Sequence, residues 1–330
     1  MAVDAITAGS ASPVAPATPE SKRTRALHRN VLIGLAVVLL IAPFLLYPVF
    51  LMKVLCFALF ALALNLLLGY GGLLSFGHAA YFGMASYISA YSAKVWGFPP
   101  ELAILAGTAT GALLGLVFGA LSIRRQGIYF SMITLALAQM VFFFSVQAKF
   151  TGGEDGIQAV PRGHMFGVLN LADDRVLYFV VAAIFFAGTL LIYRIIHSPF
   201  GQVLKAIRDN EPRAISLGFR ANQYKLMVFV LSTTLAGLAG ATKAIVFQLA
   251  SLTDVHWSMS GEAVLMTLVG GMGTVFGPIL GALVIVTMEN YLATLGAWVT
   301  VVQGFVFVFC VLLFRDGIVG LFSRWLKQPL

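Results

Sequence analysis

Long stretches without Asp, Glu, Lys or Arg constrain the fold of this chain more than any other feature. A helix needs about 20 apolar residues to cross the roughly 30 Å of hydrocarbon in a bilayer. Helices also satisfy their own backbone hydrogen bonds where no water is present. The pattern therefore predicts an all-α, polytopic bundle of transmembrane helices. The uncharged stretches are 30–52, 54–93, 102–123, 126–148, 176–193, 226–242, 263–288 and 290–314.

The composition indicates an integral membrane protein and excludes a soluble enzyme. Hydrophobic residue types make up 60% of the 330 residues and charged types 10%, whereas globular domains contain about 45–50% and about 25%. A chain this apolar cannot cover its own surface with polar side chains. The two cysteines, Cys56 and Cys310, lie within apolar stretches and are interpreted as small buried hydrophobic side chains.

Basic residues indicate on which side of the membrane each loop lies. The net charge is +8, and Lys and Arg concentrate at 22–29, 124–125, 194–225 and 315–327. Clusters of this kind mark cytoplasmic loops. Because orientation explains the basic excess, no nucleic-acid partner is expected. Both termini are predicted to be cytoplasmic.

Ten spans satisfy this orientation. The stretch 54–93 is long enough for two spans, and a glycine cluster at 69–77 separates them. An alternative with eight spans and a re-entrant segment near Gly270–Pro278 keeps both termini on the same side. The ten predicted spans are 31–52, 54–70, 77–93, 102–123, 127–148, 176–193, 226–250, 258–272, 277–290 and 297–314.

The chain divides into three parts. Residues 1–29 open with a stretch rich in Ala, Ser, Thr and Pro and are predicted to form a disordered cytoplasmic tail. Residues 30–320 form the membrane domain, which includes the cytoplasmic loop 194–225, and residues 321–330 form a short cytoplasmic tail. The sequence contains no phosphate-binding loop and no zinc-binding or nucleophile–base pattern. No catalytic residue, metal ligand or cofactor is therefore predicted.

The loop at 194–225 is predicted to contain two short helices. Leu204 and Ile207 fall on one helical face, while Pro212 and Gly218 suit the start and the end of the second helix. One interpretation is that the apolar face packs against the membrane domain or the lipid headgroups. The other is that it docks into a groove on a cytoplasmic partner.

Polar side chains and glycines within or beside the predicted spans are candidates for a substrate pathway or a gate. Almost no ionisable residue lies in the middle of a span, which argues against proton coupling. Each candidate also has a structural interpretation, as a hydrogen bond between helices or as part of a turn. The candidates are Asn65, Ser75, His78, Gln139, Gly270, Gly271 and Gly273.

Four glycines at every fourth position form a smooth stripe on one predicted helix. They are Gly107, Gly111, Gly115 and Gly119. Small residues in this spacing allow a second helix to approach closely. We favour static packing over a sliding contact for this stripe.

Six motifs occur in order along residues 54–320 and carry a family resemblance. They are Gly69-Tyr70-Gly71-Gly72-Leu73-Leu74-Ser75-Phe76-Gly77-His78-Ala79-Ala80, Gly127-Ile128-Tyr129-Phe130, Thr151-Gly152-Gly153 with Gly156, Ala206-Ile207-Arg208-Asp209-Asn210-Glu211, Gly270-Gly271-Met272-Gly273 with Gly277-Pro278, and Leu313-Phe314-Arg315 with Gly317. Together they resemble the branched-chain amino acid ABC-transporter permeases of the LivM family. Urea-type and amide-type permeases are similar in the same motifs.

The resemblance implies a transmembrane permease subunit of an ATP-driven importer that works by alternating access in a bacterial inner membrane. Branched-chain amino acids are the implied substrate, with urea, amides or another small solute as the alternative. The implied partners are a second, LivH-like permease subunit, two cytoplasmic ATPase subunits that hydrolyse ATP, and a periplasmic substrate-binding protein. The chain itself would not be an enzyme. An ion-coupled secondary transporter is the alternative from a different class.

The resemblance also implies that the loop at 194–225 couples the permease to an ATPase. Leu204, Ile207 and Leu217 would then be the main apolar contacts to that partner. Pro212 and Arg213 depart from the alanine-rich residues that usually follow the matching glutamate. The implied coupling residues are Gly201, Leu204, Ile207, Arg208, Asp209, Asn210, Glu211, Ala214, Leu217 and Gly218.

Overall fold

Helices make up most of the chain that the computed structural model describes. The described residues are 19–167, 169–293, 296, 298, 301–305, 308 and 317–320, and for 19–28 only the backbone is described. The predicted tails at 1–18 and 321–330 lie outside them, as do Cys310 and most of the predicted span 297–314.

The helices follow one another with short connections. α2 ends in a π-helical turn, Leu66–Tyr70, which we call the π-turn. The helices are α1 (Pro19–Leu45), α2 (Pro48–Asn65), α3 (His78–Lys94), α4 (Pro100–Ser122), α5 (Ile128–Gln147), α6 (Asp174–His197), α7 (Pro199–Asp209), α8 (Glu211–Ser216), α9 (Ala221–Phe247), α10 (Trp257–Gly270) and α11 (Gly277–Leu292).

Prolines fix the start of several of these helices. Pro48, Pro100, Pro199 and Pro278 each lie in the first turn of a helix. A backbone N–H in that turn has no partner within the helix, so its absence costs nothing, and the fixed φ of proline suits the helix. These boundaries are therefore encoded locally.

The boundary between α1 and α2 differs from the predicted one. The sequence predicts the break at Lys53 because this residue is charged. In the structure α2 begins at Pro48, and Tyr47 is extended, as expected for a residue before proline. Lys53 lies inside α2, where its Nζ atom forms an ion pair with Glu289 Oε2 of α11 at 3.3 Å.

The start of α1 is a second correction. Residues 1–29 were expected to form a disordered tail, but the helix extends back to Pro19. Glu, Lys, Arg, Ala and Leu are frequent at 20–28, and these residues have high helix propensity. The helix of the apolar stretch therefore continues through the basic segment.

α9 is the centre of the bundle and packs against α2, α3 and α4. The glycine stripe of α4 faces this centre. A Cβ atom on Gly107 would lie 2.5 Å from the carbonyl oxygen of Ala85 on α3, and one on Gly111 would lie 2.8 Å from that of Thr233 on α9. The stripe therefore allows backbone-to-backbone contact among α3, α4 and α9.

Two short antiparallel ladders form outside the helices, and the sequence analysis did not predict them. β1 (Ile157–Gln158) pairs with β4 (Leu249–Ala250), and β2 (His164–Met165) pairs with β3 (Leu169–Asn170). Lys94, at the end of α3, donates a hydrogen bond to the backbone of β1 at 2.7 Å. The loop after α5 is thereby joined to the ends of α3 and α9.

Among the described residues, five helices are long and apolar enough to cross a bilayer. They are α2 with its π-turn, α4, α5, α6 and α9, while residues 29–45 of α1 and the whole of α11 are apolar but shorter. α10 has 14 residues, which corresponds to a length of about 21 Å. The chain is a multi-pass membrane protein, and the count of ten spans and the cytoplasmic termini stay predictions.

Candidate functional site

The loop between α6 and α9 begins with a tight turn into α7. Ser198 caps α7 by accepting a hydrogen bond from the Gly201 N–H at 3.3 Å. A Cβ atom on Gly201 would collide with the carbonyl oxygen of Ile196, so only glycine permits this approach. The turn allows α7 to pack against α9 and the π-turn of α2.

α8 is held against α9 by a buried ion pair. Lys225 Nζ of α9 lies 2.6 Å from Glu211 Oε2, and the two side chains are 6% and 16% exposed. Asn210 caps α8 by accepting a hydrogen bond from the Arg213 N–H at 3.0 Å. The left-handed φ of Gly218 follows α8, and this conformation favours glycine. We refer to residues 199–218 as the α7–α8 unit, because these contacts make it a defined two-helix element.

The apolar side chains of the α7–α8 unit divide into two groups. Leu204, Ile207 and Ala214 are buried against other parts of this chain. Ile215 and Leu217 are exposed, at 55% and 69%. The structure therefore assigns Leu204 and Ile207 to internal packing, contrary to their expected place among the main partner contacts. Their helical face is turned towards α9 and the π-turn. Of the three expected partner contacts, Leu217 is the one that remains exposed.

Arg208 joins α7 to the end of α2. Its Nη1 atom donates a hydrogen bond to the Gly69 carbonyl oxygen at 2.6 Å, and its Nη2 atom lies 2.9 Å from Asp209 Oδ1. Lys205 Nζ lies 5.5 Å from the centre of the Tyr70 ring, within cation–π range. Burial, together with the charge of Arg208, lowers the pKa of Lys205. Two cations are thus packed against the π-turn.

The second part of the candidate site is the break between α10 and α11. Asn65 Nδ2 donates to the Thr274 carbonyl oxygen at 2.8 Å, and the Gly273 N–H donates to Asn65 Oδ1 at 2.9 Å. Gly271 and Gly273 have φ of +124° and +76°. A Cβ atom on Gly69 would lie 2.6 Å from the backbone nitrogen of Gly273. The break therefore rests directly on the π-turn.

Gly270 is also required by close packing at this break. A Cβ atom on it would meet the Gly277 carbonyl oxygen. The candidate gate residues Asn65, Gly270, Gly271 and Gly273 are thus brought together by the structure. The other three, Ser75, His78 and Gln139, lie elsewhere.

Replacing Asn65 by leucine is expected to lower the thermal stability of the purified protein. The change leaves the Gly273 N–H and the Thr274 carbonyl group without partners, and each unsatisfied buried group costs about 1–3 kcal/mol. Thr108→Val is the matched control, because the Thr108 hydroxyl bonds only within its own helix, to the Ile104 carbonyl oxygen. Equal melting temperatures for the two variants would contradict a supporting role for Asn65.

His78 is buried and hydrogen-bonded within the helix bundle. It is 0% exposed, and its Nε2 atom lies 2.8 Å from Ser232 Oγ, which donates to the Ala63 carbonyl oxygen at 2.5 Å. Because that bond uses the one hydroxyl hydrogen of Ser232, His78 Nε2 is the donor. Ser75 is buried too, and its Oγ accepts a hydrogen bond from the Gly77 N–H at 3.2 Å. Both residues therefore make hydrogen bonds inside the bundle.

Gln139 lies near the middle of α5 and is half-buried. Met132, Met140 and Phe143 of the same helix are exposed. Within the part of the chain that the structure describes, the Gln139 side chain has no hydrogen-bond partner. An unpaired amide is unfavourable in hydrocarbon, so this face of α5 is where a polar neighbour is expected.

Ion pairs inside the bundle were missed by the sequence analysis. Lys243 Nζ lies 2.5 and 2.6 Å from the two carboxylate oxygens of Asp254, and these side chains are 11% and 2% exposed. Gln303 donates to Glu289 at 3.1 Å, beside Lys53. A charge next to an apolar stretch signals that a partner is needed. Which partner it finds depends on helix packing, which the sequence does not display.

The arrangement as a whole can act mechanically. The α7–α8 unit contacts the π-turn, and the π-turn contacts the break between α10 and α11. Among the described residues, no group of three or more His, Cys, Asp and Glu side chains is placed to hold a metal ion. The described chain thus combines a multi-helix membrane domain, a broken helix pair and a two-helix unit outside the bundle.

The chain belongs to the family of branched-chain amino acid transport system permease components. The sequence profile of this family matches residues 46–311. This match confirms the family predicted from the motifs. Members of the family are membrane subunits of ABC transporters and are not themselves enzymes. No solved structure matches the chain.

Individual relatives include amino acid and sugar permeases. The high-affinity branched-chain amino acid transport system permease protein LivM of Salmonella typhimurium is 26% identical over 79% of this chain, and that of Escherichia coli is 25% identical over the same share. This chain spans 65% of the length of each. The ribose import permease protein RbsC of Bacillus subtilis is 29% identical over 67% of this chain and 70% of its own length.

Proposed function

We propose that this chain is a transmembrane subunit of an ATP-driven importer of branched-chain amino acids in a bacterial inner membrane. The observation that carries the proposal is the α7–α8 unit, which is joined to the broken helix pair through the π-turn. Similarity to LivM proteins over 79% of the chain supports the substrate class. ATP hydrolysis is assigned to other subunits, because the sequence contains no phosphate-binding loop.

The proposed importer contains further chains. These are a second, LivH-like permease subunit, two cytoplasmic ATPase subunits and a periplasmic substrate-binding protein. The exposed face of α5 supports a contact with the second permease or with the pathway between the two, because the unpaired Gln139 amide there needs a polar neighbour.

We propose ten membrane crossings with both termini in the cytoplasm. The contacts of α11 support two crossings where the alternative has one re-entrant segment. Gly273, just before α11, lies beside Gly69 at one end of α2, while Glu289 pairs with Lys53 near the other end. α11 therefore runs along most of α2, which is itself long enough to span the bilayer.

Transport would proceed by alternating access around the break. The N-terminus of α11 and the C-terminus of α10 meet there, and helix ends carry partial positive and negative charge respectively. Helix ends of this kind could hold a zwitterionic amino acid without a buried ionic side chain. ATPase movement would reach the break through the α7–α8 unit.

The test is uptake by the complete complex in proteoliposomes. We expect ATP-dependent uptake of leucine. Isoleucine and valine should inhibit this uptake by competition, and ribose should not. A sugar is the second candidate, because RbsC of Bacillus subtilis shows comparable identity, and uptake of ribose alone would establish it. Competition by urea or an amide would support that alternative, and uptake driven by an ion gradient without ATP would support a secondary transporter.

Replacing Leu217 by aspartate is expected to weaken co-purification of the ATPase about ten-fold or more, the scale of a hot-spot contact. Leu217 is exposed, so the permease should insert and fold normally. Gln202→Asp is the matched control, since it places the same charge at another exposed position of the α7–α8 unit. Normal ATPase binding by Leu217→Asp would show that docking uses another surface.

A further inference from the structure

Among the described residues, the Gly69 carbonyl group of the π-turn has no backbone donor. Beyond this turn, the N–H groups of Gly71 and Leu73 both donate to the Leu67 carbonyl oxygen, and that of Gly72 donates to the Leu68 carbonyl oxygen. The Gly69 carbonyl oxygen is bypassed. Arg208 supplies its donor from α7, across 139 residues of sequence, at 2.6 Å.

The path of the Arg208 side chain is confined. A Cβ atom on Gly72 would lie 2.7 Å from Arg208 Cγ, so the arginine stem passes directly over the backbone that follows the π-turn. Its guanidinium group borders a cavity of about 360 Å³ between the α7–α8 unit and the end of α2. The bond to Gly69 therefore lies beside a space that water can reach.

The other side of Gly69 touches the break. A Cβ atom there would lie 2.6 Å from the nitrogen and 2.8 Å from the Cα of Gly273, and Asn65 hydrogen-bonds to Gly273 and Thr274. A single residue of α2 thus separates Arg208 from the break. π-Turns within helices are rare and are frequent at functional sites.

We infer that Arg208 is a positioning residue that transmits movement of the α7–α8 unit to the break between α10 and α11 through the Gly69 carbonyl group. This inference rests on the proposed function, and it gives Arg208 a role inside the permease rather than in the contact with the ATPase. Displacement of α7 pulls on the π-turn, and the π-turn carries Gly273 with it.

The first test compares Arg208→Gln with Arg213→Gln in the complete complex. Arg213→Gln is the matched control, because it makes the same change at another exposed arginine of the α7–α8 unit and leaves the bond between Arg208 and Gly69 in place. For Arg208→Gln we expect normal co-purification of the ATPase, persistent basal ATP hydrolysis and loss of stimulation by the loaded binding protein. Uptake should fall about ten-fold or more, the scale of a typical coupling free energy.

Two outcomes would overturn the inference. Uptake by Arg208→Gln equal to that of Arg213→Gln would show that the bond between Arg208 and Gly69 transmits no movement. A parallel loss of uptake and of bound ATPase would make Arg208 a docking residue. Failure of the proposed function is visible separately, because the unmodified complex would then bind no ATPase or show no ATP-dependent uptake.

A second measurement does not depend on the folding of Arg208 variants. Spin labels on Gln202 and Met272, in a chain whose Cys56 and Cys310 are replaced by alanine, report the distance from α7 to the break. This distance should stay constant between nucleotide-free and ATP-bound complexes, while the distance from Gln202 to Ala109 on α4 changes. Equal changes in the two distances would contradict a mechanical link.

Discussion

Lys243→Met is expected to destabilise the folded protein by about 3–5 kcal/mol, because the substitution leaves Asp254 buried and unpaired. The carboxylate of Asp254 is 2% exposed, and Lys243 contacts both of its oxygens. The measurement is thermal unfolding of the purified protein in detergent. The pair joins α9 to the turn before α10, so its loss should also loosen the start of α10.

Two further variants make this expectation specific. Lys149→Met removes an exposed lysine from the loop after α5 and should leave the melting temperature unchanged. Adding Asp254→Leu to Lys243→Met should recover most of the lost stability, since an apolar pair can replace a buried ion pair. If Lys243→Met has the same melting temperature as Lys149→Met, the buried pair does not support the fold.

Gly111→Leu is expected to abolish most of the folded protein in the membrane. A Cβ atom at this position would lie 2.8 Å from the Thr233 carbonyl oxygen and 2.9 Å from the Gly237 Cα. These are backbone atoms of α9, which cannot move aside without separating the helices. Overpacking commonly costs about 1–3 kcal/mol when side chains can yield, and here they cannot.

Ala109→Leu is the control for this substitution. Ala109 lies two residues away on α4, on its exposed face, so the same side chain should be accepted there. Membrane abundance and the elution profile of the solubilised protein report the outcome. Normal abundance of Gly111→Leu would show that α4 does not pack on α9 through its glycines.

The order and approximate length of the helices were predictable because the signals are local. Apolar stretches marked α4, α5, α6 and α9 to within a few residues, and the glycines at 270–277 marked the break before α11. Pro199 and Gly218 bounded the α7–α8 unit. Each signal acts within one turn or along one helix, so an isolated segment displays it.

Errors arose where a local signal competed with a distant partner. Lys53 was taken as a boundary, yet Glu289, 236 residues away, allows it to lie inside α2. Leu204 and Ile207 were assigned to a partner protein, yet α9 and the π-turn cover them. An apolar helical face shows that something is buried against it and does not show what.

The sequence by itself determined that this chain crosses a membrane many times, that it contains a helical loop between α6 and α9, and that it belongs to a permease family. These properties follow from the length of apolar stretches, from glycine and proline, and from ordered motifs. Only the tertiary structure decided that Asn65 holds Gly273, that Arg208 reaches Gly69 and that His78 contacts Ser232. Asn65 and Gly273 are 208 residues apart, and hydrogen bonds require contact within about 3 Å. Such pairs exist only after the helices have packed.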